Sequence, residues 1–147
     1  MDKLWTVAMS YIGTPHINGG QVKGAGLDCC TLPVAIYKEF GVDIPVDIGY
    51  SADWFCQRGA ELIKPYLSRY FSRVNELNSG DLISFSWGRA KFAHLAMYLG
   101  GGKVIHSQAD RGTEITDLDD PYFLRKDGRS RITGYWRLKD EFFIQRQ

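Results

Sequence analysis

Apolar positions in the first half of the chain repeat with the period of a helix, and those in the second half with the period of a strand. Leu4, Val7, Ala8 and Tyr11 fall at i, i+3, i+4 and i+7, which predicts an amphipathic first helix ended by Gly13. Leu32, Ala35, Ile36 and Phe40 repeat helical spacing and predict a second helix stopped by Gly41. Pro33 has no N–H to give and clashes with the carbonyl four residues back, so it belongs in a first turn. The second helix is therefore expected to begin near Cys29 or Cys30, with Asp28 as cap or cap neighbour. Between the helices, Gly13-Thr14-Pro15-His16-Ile17-Asn18-Gly19-Gly20, with Gly24 and Gly26, predicts a loop that is neither helix nor strand. Its glycines let backbone approach a substrate closely. Residues 42–53, with Pro45, read as irregular. Trp54, Leu62, Ile63, Leu67, Tyr70 and Phe71 read as one or two short helices, broken or kinked by Pro65, with their aromatics in packing roles.

After Asn78-Ser79-Gly80-Asp81 the pattern changes. Leu82 to Trp87, Phe92 to Leu99, Lys103 to Ser107 and Arg131 to Leu138 read as strands, and the segment between Gln108 and Ser130 as mostly loop. Helices first and an antiparallel meander second is the α+β pattern. Side chains alternate faces along a strand, so His94 is expected beside Phe92, Ala96 and Tyr98, and His106 beside Val104. If Gly100-Gly101-Gly102 is a three-residue hairpin loop, Leu99 faces Lys103, Tyr98 faces Val104, Ala96 faces His106 and His94 faces Gln108. The two histidines are then diagonal neighbours on one face. A slip of one residue would separate them.

Composition narrows the picture. The 147 residues, 44% hydrophobic, suit one domain with one core over residues 1–147. A formal net charge of +1 without a basic run gives nucleic acid no electrostatic hold. No segment nears the ~20 apolar residues of a membrane span, so no membrane insertion is expected. Met1-Asp2-Lys3-Leu4-Trp5 lacks the basic flank and apolar stretch of a signal peptide, which predicts synthesis in the cytoplasm without one. Three cysteines, two of them adjacent, make a poor disulfide framework. Adjacent Cys29-Cys30 also lacks the usual C-x₂₋₄-C ligand spacing, so neither zinc nor another cofactor is expected.

The candidate chemistry lies where a thiol meets the histidines. A cysteine in the first turn of a helix feels unpaired N–H groups and the positive end of the helix dipole, which favour thiolate. A base to take the thiol proton and a second polar group to orient that base would complete a nucleophilic set. His94 and His106 supply both. Residue chemistry alone leaves the choice between Cys29 and Cys30 open.

Several short motifs occur in an ordered series. Gly26-Leu27-Asp28-Cys29 fits Gly-x-Asp-Cys at a helix start, and Gly80-Asp81 fits Gly-Asp before a strand. His94-Leu95-Ala96-Met97-Tyr98-Leu99-Gly100 fits His-x-Gly/Ala-x-Tyr-x-Gly, and Val104-Ile105-His106-Ser107 fits a strand ending in an apolar residue and His. With Gly13-Thr14-Pro15 upstream, the series resembles the NlpC family of papain-like cysteine peptidases, which cleave bacterial cell-wall peptides. The longer insert before the cysteine, Trp54 and Gly134-Tyr135-Trp136-Arg137 resemble its phage-tail branch. The papain-local Cys-Gly-Ser-Cys-Trp signature is absent.

The resemblance implies a papain-like α+β fold, with N-terminal helices packed on an antiparallel sheet and the nucleophile at a helix start. It implies Cys29 as nucleophile, His94 as base and His106 as the residue that orients the base. It further implies a peptidoglycan stem-peptide substrate, cleaved between D-glutamate and a diamino acid, with phage tail proteins as partners and the virion as destination. His16 stands where the family has an aromatic residue, often a tyrosine near the oxyanion site, and Cys30 where it has serine or another small residue. His16, Asp28 and Cys30 are thus oxyanion or substrate contacts by resemblance. Thr31 replaces a frequent glycine, and Cys56 matches nothing and reads as core. Three rivals stay open at this point: a structural tail module with a silent cleft, an amidase or transglutaminase-like acyl-transfer enzyme on the same residues, and a zinc-binding module.

Overall fold

The two periodicities separate into helices and a sheet in a computed structural model, which describes residues 2–45 and 63–141. Helix α1 spans Lys3–Met9, α2 spans Thr31–Glu39, and a third helical run, α3, covers residues 63–70. Asp2 opens α1 by accepting the Leu4 N–H at 3.0 Å. The chain then turns, rather than continuing as helix, from Ser10 to Gly13. In α3, buried Ile63, Tyr66, Leu67 and Tyr70 keep helical spacing, and Pro65 does not interrupt the run. Trp54, Cys56 and Leu62, expected in helices or core, lie outside the described residues.

The main sheet is antiparallel. Its strands are β3 Phe71–Val74, β4 Leu82–Trp87, β5 Ala90–Gly100, β6 Lys103–Gln108, β7 Gly112–Asp117 and β8 Ile132–Leu138, in the order β3-β8-β4-β5-β6-β7. Three expectations are corrected. The Gly-rich loop contains a two-strand ladder, β1 Gln21–Val22 with β2 Gly26–Leu27. Phe71 begins a strand rather than ending a helix, because its backbone finds a ladder partner in Leu138. The supposed loop after Gln108 holds β7, paired residue by residue with β6, and a short 3₁₀ helix at Pro121–Phe123.

The β5–β6 hairpin keeps the register the histidines need, by a different route. Met97 faces Ile105 and Tyr98 faces Val104, but Gly100, not Leu99, faces Lys103 across a bulge. The connection is then Gly101-Gly102, with φ of 60° and 78°. Positive φ at both central residues is what a tight two-residue hairpin turn demands, and glycine adopts it without strain.

Alternation divides the sheet into two packed faces. Leu82, Leu95, Met97, Ile105, Trp136 and Leu138 pack with the helices around Leu32, Ile36 and Leu67. Ile83, Phe85, Ala96, Val104 and Phe123 form a second cluster on the other face. Phe92 was expected beside His94. A register shift in β4–β5 between Phe85 and Trp87 turns it instead to the helix-side core, where its ring lies 6.3 Å from that of Trp136.

Two motifs prove to be braces. Asp81 is buried and receives Arg137 Nε at 3.0 Å and Nη2 at 2.8 Å, tying the start of β4 to β8. At Gly134, an added Cβ would lie 3.0 Å from both Arg73 Nε and Trp136 Nε1. The absence of a side chain lets the indole donate to Ser84 Oγ at 3.0 Å.

The loop leading to the second helix is stitched to the sheet edge. The Gly13 N–H donates to the Thr113 carbonyl at 3.0 Å, and the Thr113 N–H to the Thr14 carbonyl at 2.9 Å. Gly112 makes this approach possible: its φ is +74°, and a Cβ there would sit 2.9 Å from the Thr14 carbonyl oxygen. Gly112→Ala is therefore expected to lose about 2 kcal/mol of stability, read as a lower urea midpoint at unchanged m-value.

Candidate active site

The site is built where the second helix starts against one end of the sheet. Asp28 is buried and its carboxylate is fully engaged by backbone. Oδ1 accepts the N–H groups of Cys30 and Thr31, each at 2.9 Å, and Oδ2 accepts the Gly19 N–H at 2.7 Å. In return the Asp28 N–H donates to Thr31 Oγ1 at 2.8 Å, a reciprocal box of the kind that fixes helix starts. The Leu32 N–H donates to the Asp28 carbonyl at 3.0 Å, the first bond of helical type. Regular helix begins at Thr31, one or two residues later than expected, yet this bonding leaves Cys29 and Cys30 in the first turn.

Cys29 opens onto a cleft of about 460 Å³ that is also lined by His16, Asn18, Trp87, His94 and Tyr122. Ser107 and Gln108, at the end of β6, close its floor. The cleft thus draws on both sides of the sheet, with Cys29 from the helix-side core and His94 from the face that carries Phe85. His94 Nε2 lies 2.9 Å from His106 Nδ1. With Nε2 engaged, Nδ1 is the His94 nitrogen left to meet a thiol proton. His106 is 1% exposed and stands behind His94 rather than in the cleft wall.

The structure brings together Cys29, His94, His106 and His16, and it assigns Asp28 and Cys30 differently. Asp28 was expected as helix cap or cap neighbour and also as an oxyanion or substrate contact; its oxygens cap the helix and hold the Gly19 loop. Cys30 is buried outside the cleft lining, its Sγ 4.0 Å from Cys29 Sγ. His16 reaches the cleft with both ring nitrogens partnered, Nδ1 at 3.0 Å from Ser107 Oγ and Nε2 at 3.2 Å from Asn18 Oδ1. Among the described residues, no three of His, Cys, Asp and Glu converge as a metal-holding group.

Sequence reasoning missed the aromatic wall. Trp87 and Tyr122 sit 4.7 Å apart, and Tyr122 lies 5.9 Å from the His94 ring and 5.2 Å from that of His106. The Arg131 guanidinium stacks 4.1 Å from Trp87 on the outside. Tyr122 rides on the 3₁₀ helix, whose signal was present: Asp120 caps it, accepting the Tyr122 N–H at 2.8 Å, and Pro121 follows the cap.

Electrostatics keep both imidazoles neutral. Burial pushes His94 well below the usual histidine range, and the neighbouring His106 and His16 push the same way. Burial takes His106 down to about 4, against the opposing pull of Asp120 and with a smaller push from Arg111. Tyr122 is raised to about 12 by burial first and then by negative charge on Cys29.

A capped helix-start cysteine facing a sheet histidine is the arrangement of a papain-like domain. The NlpC/P60 family model matches residues 13–131, and the chain belongs to that family. It is 33% identical over 128 residues to the gamma-D-glutamyl-L-lysine dipeptidyl-peptidase of Bacillus cereus, covering 85% of this chain and 34% of that protein. It is 31% identical over 128 residues to the murein DD-endopeptidase MepH of Escherichia coli, covering 85% of this chain and 41% of that one. The chain therefore spans well under half of either relative. In structure it resembles an NlpC/P60 family protein from Bacillus cereus, with a TM-score of 0.65, 32% identity, and coverage of 93% and 39% of the two chains. It also resembles the NlpC/p60 domain of the peptidoglycan hydrolase SagA, with a TM-score of 0.60, 25% identity, and coverage of 92% and 96%.

Two outcomes follow from the site's construction. Asp28→Ala removes a cap and a loop tie together and is expected to lose about 2 to 3 kcal/mol in chemical denaturation. A histidine whose folded pKa is depressed gives stability that is present above its unfolded value and lost on acidification. From near pH 6.5 down to about 4, His106 alone should then steepen the fall in stability. The expected slope is about 1.4 kcal/mol per pH unit. Unfolding of wild type and His106→Asn across this range should show the shallower slope in the variant.

Proposed function

We propose that this chain is a cysteine hydrolase of bacterial cell-wall stem peptides, with Cys29 as nucleophile, His94 as general base and then acid, and His106 orienting His94. One observation carries the reading: Cys29 and His94 line a single cleft, while His94 Nε2 is held 2.9 Å from His106 Nδ1. Burial keeps His94 unprotonated, the form a base requires. Cys29 Sγ attacks the peptide carbonyl as its proton passes to His94 Nδ1. The C–N bond then breaks, and the leaving amine takes that proton back. Water attacks the thioester carbonyl and gives one proton to His94 Nδ1. The C–S bond breaks, the carboxylic acid product leaves, and the Cys29 sulfur takes the proton from His94 to restore the thiol. In this reading the Cys29 backbone N–H, at a helix start, donates to the oxyanion, and His16, both ring nitrogens engaged by Ser107 and Asn18, shapes the cleft wall.

The substrate class rests on the relatives, one a gamma-D-glutamyl-L-lysine dipeptidyl-peptidase and another a murein DD-endopeptidase, whose names give different bonds. Of these we favour the bond between D-glutamate and a diamino acid. A tail-associated role rests on the resemblance carried by the insert before Cys29, Trp54 and Gly134-Tyr135-Trp136-Arg137.

Mass spectrometry of purified muropeptides, incubated with wild type, Cys29→Ala and Cys30→Ala, tests the proposal. Cleavage should fall by at least about a thousandfold in Cys29→Ala and persist in Cys30→Ala. Fragment masses would name the bond. Folded wild type that leaves every wall type intact would overturn the hydrolase reading in favour of a silent tail module.

A further inference from the structure

We propose that Glu114, with Thr116, is a positioning pair that selects the working tautomer of the two histidines. The inference rests on Cys29 and His94 acting as nucleophile and base. Glu114 lies directly opposite His106 in the β6–β7 ladder. Its Oε1 is 3.9 Å from His106 Nε2, and Thr116 Oγ1 is 3.5 Å from the same nitrogen. The carboxylate is itself held in place: Oε1 accepts Gln108 Nε2 at 2.5 Å and lies 3.5 Å from Arg111 Nη1.

The argument is a count of protons. To accept the thiol proton, His94 must have a bare Nδ1, so its own proton is on Nε2. That N–H points at His106 Nδ1, which must then be bare, and the His106 proton is on Nε2. This nitrogen faces Glu114 and Thr116, both able to accept. In the opposite arrangement His106 carries its proton on Nδ1 and donates to His94 Nε2. His94 then holds its proton on Nδ1, toward the thiol, and cannot act as a base. The contact between the rings is one N–H facing one bare nitrogen in either state, so the groups at the outer nitrogens bias the choice, and at His106 Nε2 these are Glu114 and Thr116. A carboxylate and a hydroxyl favour the first. No proton passes beyond His94 in this scheme, and Glu114 acts only by orienting His106. Asp120 adds negative charge near His106, and Arg111 adds the opposing positive charge.

The test combines ¹⁵N-histidine NMR at neutral pH with muropeptide kinetics on Glu114→Ala/Thr116→Val, each single variant, and Glu114→Gln. In wild type the protonated nitrogen should be Nε2 in both His94 and His106. In the double variant the proton should shift toward Nδ1 in both rings, and kcat should fall by about tenfold or more with KM within about twofold. Glu114→Gln keeps an acceptor and should restore the wild-type tautomer and most of kcat. Unchanged tautomers in a folded double variant would overturn the proposal, whatever happens to kcat. Should the double variant not fold, the singles decide by the same criterion. The NMR arm reads out even if wild type cleaves nothing, so failure here is distinct from failure of the hydrolase reading.

Discussion

Everything at the cleft depends on how one buried carboxylate is shared. Asp28 holds two N–H groups of the helix start with one oxygen and the Gly19 loop with the other. The helix start fixes the position of Cys29, and the loop carries His16 and Asn18 to the opposite lip. A side chain with a single acceptor could cap the helix or tether the loop. Two acceptors on one carboxylate do both, which ties the helix start that carries the thiol to the loop that faces it. Thr31 closes the box with its hydroxyl, which gives a physical reason for a hydroxyl-bearing residue at that position.

The second constraint is the dryness of the histidine pair. His94 and His106 are packed among the rings of Phe85, Phe123, Tyr122 and Trp87, and this burial disfavours the charged imidazolium. Such surroundings suit a base that must be neutral before it acts. They also make the pair sensitive to the polar groups near it, among them His16 for His94, and Thr116, Glu114, Asp120 and Arg111 for His106.

Much of this was legible in the chain, for identifiable reasons. Helix period and Pro33 located the second helix, because an imino acid tolerates few positions. Alternation from His94 onward in β5 and along β6 put the two histidines on one face, a conclusion that survives the error in the turn and the bulge that displaces Phe92. The turn itself was misjudged because three consecutive glycines leave its length open, and a bulge absorbed the difference. Strand β7, Gly112-Thr113-Glu114-Ile115-Thr116-Asp117, went unread because its polar residues resemble a loop; it is an edge strand with a wet face. Glu114 was lost with it. Tyr122 was lost because an aromatic in an apparent loop carries no period. Asp81 and Arg137 were noticed as motifs, but nothing in one dimension says that residues 56 positions apart share a proton-rich fork.

The strand order carries a consequence in time. Strand β8 inserts between β3 and β4, so the edge strand β3 has no partner in the sheet until residues 132–138 arrive. Cys29 is made more than a hundred residues earlier. A chain lengthening from its N-terminus can close the β4 to β7 meander from local pairings. It cannot join β3 to that meander, or seat the Trp136 indole beneath Phe92, before the last strand exists. The order of synthesis therefore acts as a delay between making the nucleophile and completing the sheet on which it bears.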